Sequence, residues 1–168
     1  MVEEPELPPG DDDGETTTEV QPVGSLGLLY PDGPKDMESL VVDTDGRTLW
    51  LFEKVDGPIS RIYKGQVPMT LQGQIALEEV GSFPSPGEDV TYGRMITGAD
   101  LHPSGARLLL RVYTGTWEYP LPSPGVLGDL GSITPELAAF GPILEELQGE
   151  AVADDADGTG FWTISDAQ

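Results

Sequence analysis

The sequence predicts an all-β fold in which one strand-turn-strand unit occurs three times. Of the 168 residues, 22 are glycine and 16 are proline, a composition that favours many turns between short elements over long helices. Apolar residues make up 38% of the chain, which is enough for one domain with its own core. An internal repeat is the third observation, and it determines the architecture that we expect.

The repeat consists of three segments that align without a gap. They are MESLVVDTDGRTLWLFEK (37–54), ITGADLHPSGARLLLRVY (96–113) and GEAVADDADGTGFWTISD (149–166). A glycine falls at the same place in each, at Gly46, Gly105 and Gly158, and an apolar pair begins three residues later. Each segment is therefore predicted to be a β-hairpin whose turn places Asp, Ser or Pro before glycine.

The N-terminal part of the chain divides into a tail and a first strand. Residues 1–22 are predicted to be an acidic disordered tail or linker, because they hold almost no large apolar side chains that would offset the ordering entropy. The repeated part is expected to span 23–168. Within it, residues 24–30 resemble the outermost strand of a preceding repeat.

The segments between the hairpins are predicted to supply outer strands. Residues 60–66 and 74–83 are assigned as the third and fourth strands after the first hairpin. Residues 115–122 and 142–147 are assigned in the same way after the second. A short helix is expected over 134–140, where Thr-Pro suits a helix cap and first turn. Each complete repeat would then be a four-stranded antiparallel sheet.

The spacing of the turn glycines predicts β-propeller blades. Gly46 and Gly105 are 59 residues apart, and Gly105 and Gly158 are 53 apart. A four-stranded blade takes roughly 40 to 50 residues, more with insertions, whereas a sandwich of three hairpins is the alternative. The chain holds about three blades, which is an incomplete ring, because propellers close with about four to eight. It is either part of a larger propeller or one half of a six-bladed homodimer, in which the N-terminal strand of one copy completes the last hairpin of the other.

A family resemblance supports the same architecture. MESLVVDTDG, ITGADLHPSGARLLLRVYTGTWEY and GEAVADDADG resemble blade hairpins of bacterial β-propellers in the broad esterase-like phytase and lactonase-type group, whose innermost strands often open with a small-residue Glu motif. The resemblance covers about 24–168. It implies the fold and, as one function, a calcium-dependent hydrolase.

The innermost strands supply the candidate site. At the second aligned position they carry Glu38, Thr97 and Glu150. If these strands line a central channel, the three side chains are expected to bind a polar ligand, and Glu38 and Glu150 to hold a cation such as Ca²⁺. Solvated channel carboxylates without a specific ligand are the alternative.

A second candidate metal site lies in the last hairpin. Asp155, Asp157, Thr159, Gly160 and Asp166 match positions 1, 3, 5, 6 and 12 of an EF-hand calcium loop. Position 12 is normally Glu, however, and the segment aligns with two other hairpin turns. Turn chemistry is therefore the favoured interpretation.

Other site classes are excluded or disfavoured by composition. The chain has no cysteine, so thiolate catalysis, disulfides and cysteine zinc sites are excluded. His102 is the only histidine, and it is predicted to be a surface turn residue. No apolar run approaches the length of a spanning helix, so membrane insertion is not expected. The acidic start is unlike a signal peptide, so a secreted or cell-envelope protein would have its targeting segment outside this chain.

The charge distribution restricts the partners. The formal net charge of −22 divides into −8 for residues 1–20, −4 for 21–111 and −10 for 112–168. Such a field repels nucleic acid and favours basic partners and divalent cations. The sequence therefore predicts a non-enzymatic propeller module that presents an acidic surface to a protein ligand or to a second copy of itself. The alternative is a calcium-dependent hydrolase of the phytase, esterase or lactonase kind.

Overall fold

The structure, a computed structural model, describes residues 21–138 and 149–165. These residues form twelve strands and one short 3-10 helix, Leu130–Ser132, with no α-helix in these two ranges. In chain order the strands are β1 (Ser25–Leu29), β2 (Ser39–Val42), β3 (Thr48–Phe52), β4 (Ile59–Gln66), β5 (Gln72–Ala76), β6 (Glu78–Pro84), β7 (Ile96–Leu101), β8 (Arg107–Val112), β9 (Gly115–Pro120), β10 (Glu136–Leu137), β11 (Gly149–Asp154) and β12 (Phe161–Ser165). The predicted all-β class is confirmed.

Two four-stranded antiparallel sheets account for most of the strands. The first unit has the order β2-β3-β4-β6, and the second unit has the order β7-β8-β9-β10. The third hairpin, β11-β12, forms a two-stranded antiparallel sheet in the described residues. The three hairpins predicted from the repeat are therefore confirmed, each with its glycine at positive φ in the turn.

Turn chemistry explains why these segments form hairpins. In the first turn the Gly46 amide donates to the Asp43 carbonyl over 2.8 Å, and the Asp43 amide donates to the Thr48 carbonyl over 2.8 Å. The same two bonds recur in the second turn, from Gly105 to His102 and from His102 to Arg107, and again in the third turn. Because these contacts are local, the sequence pattern alone specifies them.

The structure differs from the prediction in the outer strands. Residues 74–83 do not form one strand, since the chain leaves β5 and enters β6 at Leu77, a buried side chain whose amide donates to the Leu29 carbonyl. β5 pairs in parallel with β1, so β1 has a partner within its own chain. Only β6 completes the first unit, where it pairs with β4.

The helix predicted over 134–140 is wrong for the part that the structure describes. Glu136 and Leu137 pair with β9 as strand β10, and the Ala138 amide donates to the Thr116 carbonyl over 3.0 Å. Pairing with the edge of β9 satisfies backbone groups that a helix would have satisfied internally, so tertiary context overrides the local Thr-Pro signal. The predicted strand 142–147 and residues 1–20 of the predicted tail, 1–22, lie outside the described residues.

The hairpins lie side by side through their first strands, since β7 contacts both β2 and β11. Trp50 of β3 shares a buried cluster with Leu108 of β8. A Cβ on Gly149 of β11 would collide with the guanidinium of Arg111 on β8, so the other side of β8 lies against β11. We call the side of a unit that faces the next unit its forward face, and the opposite side its backward face.

Two apolar clusters fill the spaces on either side of the first unit. Its forward face carries Trp50 and Phe52, which join residues of the second unit. Its backward face carries Leu49 and Leu51, which pack with β5 and with side chains of β1. Strand alternation therefore divides one hairpin between two interfaces.

Aromatic side chains form the centre of the larger cluster. Phe83 makes edge-to-face contacts with Phe52, at 6.0 Å between ring centroids, and with Tyr119, at 5.9 Å. All three rings are buried. Phe83 and Phe52 come from the first unit and Tyr119 from the second, so this stack joins the two sheets.

Candidate functional site

The predicted site residues lie where the first strands of the three hairpins, β2, β7 and β11, begin. Glu38 precedes β2, Thr97 is the second residue of β7, and Glu150 is the second residue of β11. The register of β11 with β12 shifts between Gly149 and Ala151, so Glu150 sits in an irregularity. Thr97 and Glu150 therefore occupy equivalent positions of their strands, and Glu38 lies one residue before β2.

Thr97 acts as a structural link between the second unit and the third hairpin. It is buried, and its hydroxyl donates to the Gly149 carbonyl over 2.7 Å. A Cβ on the next residue, Gly98, would lie 3.1 Å from the Cα of Ala151, closer than packed carbons normally approach. Thr97 and the β11 backbone at Glu150 are therefore brought together, and the Thr97 hydroxyl is already used in this contact.

Glu38 is engaged by a lysine that the sequence did not single out. The Lys54 ammonium lies 2.6 Å from the Glu38 carboxylate and donates to the Tyr113 hydroxyl over 2.8 Å. Only 9% of the Lys54 side chain is exposed. Burial disfavours its charged form, but the hydrogen bonds to Glu38 and Tyr113 outweigh burial and raise the pKa of Lys54. A metal ion at Glu38 would have to compete with this ammonium group.

The alignment contains a signal for this contact. Lys54 and Tyr113 each stand eight residues after the turn glycine of their repeat, so they occupy equivalent positions in neighbouring units. Equivalent positions of adjacent repeats lie close together when the repeats stack through their first strands. The first strands alone do not contain this signal, because Lys54 and Tyr113 follow the second strands, β3 and β8.

A cavity of about 490 Å³ adjoins Lys54. Its walls mix hydroxyl, aromatic, carboxylate and thioether groups, and its lining residues are Asp36, Lys54, Thr91, Tyr92, Met95, Tyr113 and Thr114. Tyr92 has φ +63, a left-handed conformation that non-glycine residues seldom adopt. Its amide donates to the Asp56 carboxylate over 3.3 Å. This combination suits a small polar ligand better than an apolar one.

A second polar group fastens the third hairpin to the second unit. The Arg107 guanidinium lies 2.7 Å from the carboxylate of Asp154, whose side chain is 1% exposed. The Asp154 amide donates to the Asp100 carboxylate over 2.7 Å. Burial raises the pKa of Asp100, although the amides of Asp154 and Leu101 donate to it and oppose that shift. These contacts therefore join the third hairpin to the second unit.

The three turns lie at the other end of β2, β7 and β11. A Cβ on Gly105 of the second turn would lie 3.3 Å from the Thr44 methyl group of the first turn. The His102 ring lies 3.2 Å from the carbonyl of Gly158 in the third turn. His102 thus belongs to the turn, as predicted, but it is half-buried rather than a surface residue, because its ring contacts the neighbouring turn.

The carboxylates of the EF-hand-like segment serve the turn. Asp157 accepts from the amide and hydroxyl of Thr159, and Asp155 accepts from the Trp162 indole over 2.5 Å. The first turn has the equivalent bonds at Asp45 and Asp43, which support the hairpin interpretation. Gly160 has no side chain that could bind a metal ion, and Asp166 lies outside the described residues.

The described residues contain no group of three or more His, Cys, Asp or Glu side chains placed to hold a metal ion. Within 21–138 and 149–165, neither Glu38 nor Glu150 therefore belongs to a group of three such ligands. The metal-binding role of Glu38 and Glu150 stays a prediction. No helix in these ranges has the length and apolar character needed to cross a membrane.

Internal contacts use most of the positive charge. Five of the eight basic side chains pair with carboxylates, namely Lys35, Lys54, Arg61, Arg94 and Arg107. The Lys64 ammonium lies 4.8 Å from the ring centroid of Trp50, and Arg111 is completely buried. The surface field is consequently set by the acids.

No model of a protein family matches the chain, and no curated protein matches it either.

Proposed function

We propose that the chain is a β-propeller-type binding module that presents an acidic end to a basic protein ligand. The observation that carries the proposal is that three hairpins of the same design lie side by side through their first strands. Repeated units that adjoin in this way give a rigid support, and their turns collect at one end. The function would then depend on what those turns display.

The three hairpin turns, which together we call the turn end, display carboxylates in fixed positions. Hydrogen bonds from the hydroxyl and amide of Thr48 lower the pKa of Asp45, and those from Thr159 lower the pKa of Asp157. Both groups stay ionised well below neutral pH. Fixed carboxylates on the first and third turns attract cationic side chains and repel phosphate groups, which favours a basic peptide over nucleic acid.

The proposal is tested by titrating the protein with a short fluorescein-labelled oligolysine and measuring anisotropy. We expect binding that weakens as salt is raised, because the interaction is between exposed charges. The double variant Asp45→Asn and Asp157→Asn should bind about tenfold more weakly, since it loses two charges of the turn end. Asparagine retains an oxygen that accepts the turn hydrogen bonds, so the hairpins should stay folded.

The matched control removes the same charge elsewhere. Glu88→Gln and Asp89→Asn change two exposed carboxylates, and Asp89 lies beside Asp56 and Pro58 at the opposite end of the first unit from its turn. This control should alter binding by less than about twofold, since the pair lies away from the turn end. Equal losses in the two double variants, or no binding at low salt, would contradict the turn end as the binding surface.

The alternative from the sequence analysis is a calcium-dependent hydrolase that uses Glu38 and Glu150. No contact in the described residues favours it over the binding module. A Ca²⁺-dependent rise in Tm that Glu38→Gln and Glu150→Gln each abolish would support the alternative.

A further inference from the structure

The forward face of the third hairpin is open to solvent. Trp162 is 72% exposed and Ile164 is 65% exposed. The equivalent residues of the first unit, Trp50 and Phe52, are 4% and 0% exposed because the second unit covers them. Positions that are core in one repeat are therefore surface in another, although the side chains remain large and apolar.

The same comparison holds in the second unit. Leu109 and Arg111 occupy the positions of Trp162 and Ile164, and both are completely buried. Arg111 abuts Gly149 of the third hairpin. Both internal forward faces are thus covered by a following unit, whereas the third forward face has none among the described residues.

The backward face of the first unit is open along its first strand. Leu40 is 46% exposed and Val42 is 48% exposed. The equivalent residue of Val42 in the second unit, Leu101, is 8% exposed and belongs to the cluster shared with the first unit. In the third hairpin, Val152 stands at the position of Leu40 and is also 8% exposed.

The small sheet β1-β5 covers only the outer part of this backward face. Its side chains pack on Leu49, Leu51 and Tyr63 of β3 and β4. The inner strand β2, with Leu40 and Val42, stays uncovered. The space beside β2 therefore has room for a two-stranded hairpin. A complete four-stranded unit would not fit there, because β1-β5 already lies where its two outer strands would be.

We propose that the forward face of the third hairpin docks onto the backward face of the first unit of a second copy of this chain. Trp162 and Ile164 of one copy would cover Leu40 and Val42 of the other. The inference rests on the proposed propeller architecture. It continues the forward-on-backward contact that already joins the first unit to the second and the second to the third hairpin.

A second copy fits because one chain carries both open faces. Two copies form this contact twice, related by a two-fold axis, and together they contain six hairpin units, within the range of roughly four to eight blades that closes a propeller. The third hairpin of each copy would then lie beside the β1-β5 sheet of the partner. The forward face of the third hairpin and the inner part of the backward face of the first unit would then be covered in both copies.

Charge opposes this assembly and gives it a diagnostic salt dependence. Each copy carries a formal net charge of −22, so bringing two copies together costs electrostatic free energy. Salt screens that repulsion, and the apolar contact itself is not weakened by salt. Self-association should therefore strengthen as salt is raised, whereas oligolysine binding should weaken.

The test is the solution mass of the full chain by sedimentation velocity over a range of concentration and salt. We expect a dimer that dissociates on dilution and dissociates less at high salt. Trp162→Glu and Leu40→Glu each place a charge on an open face and should give monomers. Trp162→Glu also loses the indole hydrogen bond to Asp155, so Ile164→Glu, which keeps that bond, should give a monomer of unchanged Tm. Leu137→Glu is the control, since Leu137 is 61% exposed on β10 of the internal second unit, and this variant should stay dimeric.

Mixing the two monomeric variants separates this contact from a symmetric one. The Trp162→Glu copy retains an intact β2 face, and the Leu40→Glu copy retains an intact third hairpin. A mixture should therefore recover one wild-type contact and form a heterodimer, which a Trp162-to-Trp162 contact would not allow.

Two outcomes overturn the inference. The first is a wild-type monomer at every concentration and salt tested, and the second is a dimer that both Trp162→Glu and Leu40→Glu leave intact. Either result leaves oligolysine binding to be judged separately, so a failure of this contact is distinguishable from a failure of the proposed function.

Discussion

Replacing Phe83 with alanine should lower the free energy of unfolding by about 3–5 kcal/mol, among the largest effects of any single substitution in this chain. Phe83 is 1% exposed and lies between the rings of Phe52 and Tyr119. The truncation removes two edge-to-face contacts and leaves a cavity between the two four-stranded sheets. Urea denaturation followed by far-UV circular dichroism measures the change, and Tm should fall by roughly 10 °C.

The matched control for Phe83→Ala is Leu137→Ala. Leu137 is 61% exposed on the edge strand β10, so its truncation should change stability by less than about 0.5 kcal/mol. A loss below about 1 kcal/mol for Phe83→Ala would mean that the two sheets are not packed through this ring. Both variants keep the charge of the chain, so electrostatics cannot account for the difference.

The sequence predicted those parts of the fold that local contacts specify. The turn at Gly46 depends on hydrogen bonds within six residues, and the same bonds recur around Gly105 and Gly158. A pattern that repeats three times identifies such turns without any knowledge of what they pack against. The three hairpins follow from it.

The outer strands were less predictable because distant contacts select them. β1 pairs in parallel with β5 although more than forty residues separate their starts, and no local pattern specifies that partner. Residues 136–137 become strand β10 because the edge of β9 is available. The Thr-Pro signal for a helix is weaker than this tertiary pairing.

The sequence pattern does not contain the contacts of the candidate site residues. Glu38 lies one residue before β2 and Thr97 is the second residue of β7, and Lys54 and Gly149 already engage them. Those partners depend on how neighbouring units stack. A single strand pattern does not contain that information, whereas comparison of equivalent positions across repeats does.

The junction between the second unit and the third hairpin depends on a buried ion pair. The Asp154 carboxylate is 1% exposed, and the nearest cation is Arg107, at 2.7 Å. Arg107 also lies 3.5 Å from Glu118, so it has a second, longer contact on its own sheet. Removing the arginine leaves Asp154 as a buried charge beside the carboxylate of Asp100, which the Asp154 amide contacts.

Arg107→Met should therefore destabilise the protein by about 2–4 kcal/mol, because an uncompensated buried charge costs more than the ion pair contributes. Arg107→Met combined with Asp154→Leu should recover part of that loss, since the double variant removes both partners of the buried pair. A thermodynamic cycle of the wild type, Arg107→Met, Asp154→Leu and the double variant measures the coupling. Asp89→Asn is the control: Asp89 is 94% exposed and 3.8 Å from Arg94, so breaking that pair should cost less than about 0.5 kcal/mol. Additive losses for Arg107 and Asp154 would show that the two side chains act independently. The third hairpin would then depend on Thr97 and the close approach at Gly98 for its attachment, and the junction would be one of backbone packing rather than charge.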